Sequence, residues 1–116
     1  MPNYMLLLYS GPNDFDDVSP AEMQRIIERY RAWSESLRAS GHYLASDKLK
    51  DGEGRVLRRS NGKTRVLDGP FSETKEVVGG YYAVKAEGYE DAVRLCEDCP
   101  HLDFGLIEVR EIDELP

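Results

Sequence analysis

Long apolar runs are missing from this chain. The longest, Tyr4, Met5, Leu6, Leu7, Leu8 and Tyr9, is strand-sized, far short of the ~20 residues a bilayer-spanning helix needs. No basic segment precedes it, so no secretory leader is expected. The two cysteines, Cys96 and Cys99, are too few for a disulfide framework, and a cytoplasmic address is the expectation. Positive charge is also in deficit: 15 basic against 22 acidic side chains leave a formal charge of −7. Phosphate repels such a field, which excludes a general affinity for nucleic acid or anionic membrane. The aromatic strand of RNA-binding sandwiches is absent too. Nor is there a phosphate-cradling glycine loop, an H-E-x-x-H, a G-x-S-x-G or a Walker sequence, so no cofactor is expected.

What is present describes an ordinary globular chain, 41% hydrophobic and 32% charged over 116 residues. One domain, residues 1–116, is the reading. The run at 4–9 predicts a central strand, apolar on both faces. Ser19, Pro20, Ala21 and Glu22 have the pattern of a capping box with proline at the first helical position. Met23, Ile26, Ile27, Tyr30, Trp33 and Leu37 follow at helical spacing, and Gly41 stands where a left-handed cap belongs. Residues 43–50 predict a second strand. Two more flank Asn61-Gly62, whose readiness for positive φ makes it a strong hairpin signal. Residues 78–86 predict a further strand, with Gly79-Gly80 marking a bulge or a close backbone approach. Tyr89, Ala92, Val93 and Cys96 predict a short helix ended by Pro100, and residues 104–110 a last strand.

This order predicts an α+β, ferredoxin-like two-layer sandwich, βαββαβ with an inserted hairpin. Helices on one face leave the sheet's other face bare, and its large apolar side chains predict a homodimer packed sheet to sheet.

Asp68-Gly69-Pro70-Phe71, then Ser72 to Glu76 and Gly79-Gly80-Tyr81-Tyr82, resembles the hallmark of YCII-related proteins of the DGPF type. The opening strand, Cys99-Pro100, Gly105 and Glu108-Val109-Arg110 extend the resemblance over nearly the whole chain. It implies a ferredoxin-like dimer of the dimeric α/β-barrel superfamily, which includes cofactor-free monooxygenases, muconolactone isomerase and other small-molecule enzymes. Some members of this branch resemble accessory proteins or fusion partners of sigma factors. Relatives carry a His-Asp pair, and the matching positions here are Tyr30 and Cys99. Neither half of the pair is present, so its chemistry does not transfer.

Several residues are candidates for a site. Asp68 is a candidate general base, with Glu73 or Lys75 tuning it by charge, although Asp-Gly-Pro is equally turn chemistry. Tyr9, Tyr30 and Tyr82 are candidate ligand-binding phenols between helix and sheet, or core aromatics with their hydroxyls at an edge. Residues 55–65 hold five basic side chains and no acid. Arg59 among them could receive an anion, or the island could simply discourage edge-to-edge strand pairing. Cys96, Cys99 and His101 could supply three zinc ligands, but Cys96 fits the helix's buried face and no metal is expected. Two functions remain open: a cofactor-free isomerase-, lyase- or hydrolase-like enzyme acting on a small molecule, or a non-catalytic ligand-binding or accessory module.

Overall fold

A computed structural model describes residues 1–11, 13–69 and 76–115. In chain order come β1 (Asn3–Ser10), α1 (Pro20–Ala39), β2 (Tyr43–Lys48), β3 (Arg55–Ser60), β4 (Lys63–Asp68), β5 (Val77–Lys85), α2 (Tyr89–Cys96), a 3₁₀ turn (Pro100–Asp103) and β6 (Leu106–Glu111). The main sheet runs β2-β5-β1-β6, antiparallel throughout, while among the described residues β3 and β4 pair only with each other. With the hairpin set aside, this is the ferredoxin-like split βαβ order.

Local chemistry explains the boundaries. The Ser19 hydroxyl accepts from the Glu22 amide at the start of α1. At its end the Gly41 amide donates to the Arg38 carbonyl and the His42 amide to the Leu37 carbonyl, with Gly41 at φ +81°. That Schellman turn reverses the chain into β2. Asn61 and Gly62 both take positive φ (52° and 75°), as a two-residue hairpin turn requires. Gly79 is the extra residue of a bulge, since Leu8 pairs with Gly80 and Tyr9 with Val78. A Cβ on Gly80 would stand 3.0 Å from the Asp47 carbonyl, so both effects expected of this glycine pair are realised.

Strand alternation divides β1 cleanly. Tyr4, Leu6 and Leu8 point under the helices and are buried with Trp33, Leu37, Tyr82, Val84, Ala92 and Cys96. Each leucine or valine among them, withdrawn from water, contributes ~1.5–3 kcal/mol. The Trp33 indole N–H donates to the Leu95 carbonyl and ties α1 to α2. On the opposite face Met5, Leu7, Tyr9 and Tyr81 stay half-buried beside buried Ala83, and among the described residues no layer covers them. The described residues form two layers, only 18 Å thick against 48 × 46 Å across.

The hairpin stands away from this body. Leu57 and Val66 are opposite each other on it, 63% and 59% exposed. The radius of gyration of 16.2 Å exceeds the ~13 Å expected of a rounded chain this long. No helix among the described residues is long and apolar enough to cross a membrane.

Candidate functional site

Between α1 and strands β1, β5 and β2 a cavity of about 400 Å³ opens. Its walls are mainly carbon: Leu8, Phe15, Met23, Ile26, Ile27 and the ring of Tyr82, over the bare backbone of Gly79 and Gly80. Polar groups sit at its two ends. Lys48 and Asp51, joined at 2.9 Å, lie at one end, and Tyr30 and His101 at the other.

The Tyr30–His101 end is built from three elements. His101, in the 3₁₀ turn, is 4% exposed. Its Nε2 lies 2.7 Å from the Tyr9 carbonyl oxygen in β1, and its Nδ1 lies 2.8 Å from the Tyr30 hydroxyl in α1. A carbonyl oxygen can only accept, so Nε2 carries the ring's proton. In the neutral imidazole Nδ1 is then an acceptor, and the Tyr30 hydroxyl donates to it. Burial lowers the His101 pKa from its ordinary 6.5, which favours this neutral form. Burial also holds the Tyr30 phenol well above its ordinary 10.0. The result is a chain of donors running from Tyr30 through imidazole to a backbone carbonyl.

Gly105 keeps that carbonyl within reach of the imidazole. A Cβ there would run into the Tyr9 carbonyl oxygen and come 3.2 Å from His101 Nε2. Arg29 and Asp103 meet at 2.6 Å and pin α1 to the 3₁₀ turn beside the pair.

Tyr82 is the second phenol in the cavity. Ser34 Oγ donates to the Tyr30 carbonyl at 3.0 Å, so its single proton is committed. The Tyr82 hydroxyl, 2.6 Å from Ser34 Oγ, is therefore the donor of that pair. Its ring lies edge-on to Trp33, 4.6 Å between centroids.

The residues singled out from sequence fall in different places. Tyr30 and Tyr82 line the cavity. The Tyr9 ring does not: period-two alternation turns it to the sheet's other face, where its hydroxyl donates to Glu108. Only its carbonyl enters the site. Asp68 ends β4 on the hairpin, its side chain 94% exposed and 3.6 Å from Arg55. It is not among the residues that line the cavity. Arg59 lies on β3 opposite Thr64, again on the hairpin. Glu73 and Lys75 lie outside the described residues.

Cys96 and Cys99 are free, buried thiols, which burial pushes up to about 11 and about 12. Both nitrogens of His101 are engaged by Tyr9 and Tyr30. Among the described residues no cluster of histidine, cysteine and carboxylate is placed to hold a metal. The residue that sequence reasoning undervalued is His101. Its spacing from Cys99 suggested a metal ligand, and only the fold brings it to Tyr30, 71 positions away.

The YCII-related domain family matches residues 3–116. Over 59 residues the chain is 38% identical to an uncharacterized protein of Rhizobium meliloti (strain 1021), a match covering 49% of this chain. It spans about half (48%) of that relative's length.

Proposed function

We propose that this chain, which belongs to the YCII-related domain family, is a cofactor-free enzyme of the isomerase, lyase or hydrolase kind, working on a small molecule held between α1 and the sheet. One observation carries the reading: a buried, neutral imidazole accepts the proton of a phenol that faces a carbon-lined cavity. A substrate acid would pass its proton to Tyr30 Oη while the proton of Tyr30 moves to His101 Nδ1. The imidazolium so formed keeps its Nε2–H on the Tyr9 carbonyl. Reversal returns one proton to the substrate at the same atom or another, so nothing is left over. Such positioned acid–base groups contribute about 10²–10⁴-fold. Tyr30 thereby takes the place of the histidine that relatives carry on the first helix, and His101 acts from the opposite side.

The test is hydrogen–deuterium exchange of uncharged ketones and lactones that carry a hydroxyl or N–H donor, followed by NMR in deuterated buffer. The wild-type protein should accelerate exchange or turnover of at least one compound. Tyr30→Phe should lose about 100-fold or more, and Asp68→Ala should lose nothing. Loss in Asp68→Ala with Tyr30→Phe unaffected would overturn the assignment.

A non-catalytic ligand-binding or accessory module is the second reading. It is favoured by the group behind the imidazole, a carbonyl rather than a carboxylate, which offers a charged ring a dipole but no ion pair. Under either reading the protein works as a homodimer. The bare face carrying Met5, Leu7, Tyr81 and Ala83 supports this, because a second copy would cover the ~800 Å² that a standard interface buries on each side. The DGPF subdivision is suggested by the residues at 68–71, and a cytoplasmic setting by the free thiols.

A further inference from the structure

Hydrogen-bond directions around the cavity are fixed by groups outside it. Tyr30 gives its proton to His101, because the imidazole's own proton is held by the Tyr9 carbonyl. Tyr82 gives its proton to Ser34, because Ser34's is held by the Tyr30 carbonyl. Both phenols therefore present only lone pairs to whatever enters. Asp51 adds an acceptor among the wall residues, whereas the Asp47 carboxylate takes the proton of Tyr81. Donors come from the Ser10 hydroxyl and, at the far end, from Lys48, whose ammonium already serves the Leu49 carbonyl and Asp51. Phe15 lines the cavity from a loop that carries Asp14, Asp16 and Asp17. Acids neighbouring a wall residue, on a chain of formal charge −7, disfavour the approach of anions. A carboxylate or phosphate, which only accepts, would also lose its water and meet unshared lone pairs.

We infer that the cavity selects uncharged, carbon-rich molecules bearing one hydrogen-bond donor, such as a phenolic or enolic hydroxyl or a ring N–H, and turns away anions of the same shape. The donor lies on Tyr30 Oη, and the carbon frame lies against Leu8, Ile26 and the Tyr82 ring. This selectivity rests on the Tyr30–His101 arrangement described above and defines the substrate class of that same site.

The experiment is calorimetric titration at neutral pH with three unreactive probes sharing one ring system: 2-naphthol, 2-methoxynaphthalene and 2-naphthoate. Naphthol should bind about tenfold more tightly than its methyl ether, the worth of one net hydrogen bond, and naphthoate more weakly than naphthol by at least as much. Tyr30→Phe should erase the preference for naphthol over the ether while leaving the ether's affinity in place. Should that variant fail to fold, Tyr82→Phe, which keeps Tyr30, should retain the preference. Equal binding of naphthol and ether, tightest binding of naphthoate, or binding of none of the three would overturn the inference. Because the probes do not react, selective binding without proton exchange in any ketone or lactone would sink the catalytic reading alone. Turnover of an anionic substrate would sink the selectivity alone.

Discussion

Gly105 is beside the Tyr9 carbonyl, and that closeness sets the protonation of the site. An added methyl group would meet the carbonyl oxygen, which the sheet does not let go, so β6 or the 3₁₀ turn must shift instead. Gly105→Ala should cost ~1–3 kcal/mol of stability, the usual range for overpacking, with the loss read by urea denaturation. It should also weaken the Tyr9–His101 hydrogen bond. Burial of His101 couples the stability of the fold to pH. Against the imidazole stand the Tyr30 hydroxyl of α1, the Tyr9 carbonyl of β1 and Cys99. Arg29 and Asp103 act on Tyr30 with opposite sign, and they neutralise each other at 2.6 Å. Burial is what lowers the His101 pKa. The unfolded chain therefore binds this proton more readily. The contribution of His101 is present above about pH 6.5 and is lost as pH falls toward the folded value. His101→Gln should flatten that part of the stability–pH curve, measured by denaturation between pH 7 and pH 5. An unchanged slope would mean that another group dominates.

At the scale of elements, the parts read most easily from sequence are those made by neighbouring residues. The capping serine of α1, the glycine that ends it, the Asn-Gly turn and the bulge at Gly79 are short-range events, and local residue types specify them. Whether a side chain on β1 faces the helices depends on register, which is long-range. Tyr9 was expected between helix and sheet, but one step of alternation placed its ring on the other face. The hairpin is self-contained for the same reason that it is legible: its pairing is local and joins no other strand. Disturbing it should leave the cavity alone. Gly62→Val, at φ +75°, forces a β-branched residue into a conformation that strongly disfavours it. Amide exchange in β3 and β4 should quicken about tenfold or more, for a cost of ~1–2 kcal/mol, while Trp33 emission stays constant. A change in Trp33 emission would mean that the hairpin and body are coupled.

For the whole molecule, the sandwich order was legible because helical spacing marked the helices, unbroken or β-rich runs marked the strands, and turn residues separated them. The site was legible only in part. Tyr30 and Tyr82 lie on the helix and strand that the pattern identified, whereas His101 and the Tyr9 carbonyl come from distant parts of the chain and meet only in the folded state. Asp68 attracted attention by composition, a signal that carries no information about distance. The bare sheet face leads to a further expectation. Leu7→Lys places a charge at its centre, opposite Glu108 in register, and should convert a dimer to a 13.2 kDa monomer in sedimentation velocity without loss of fold. A wild-type chain that sediments as a monomer at micromolar concentration would remove the dimer from the account. The proton arrangement at His101 has a more direct test, the long-range ¹H–¹⁵N NMR spectrum of its ring at pH 7. The account predicts a proton on Nε2, none on Nδ1, and a titration midpoint below 6.5. A ring protonated on Nδ1, or one titrating at or above 6.5, would contradict it.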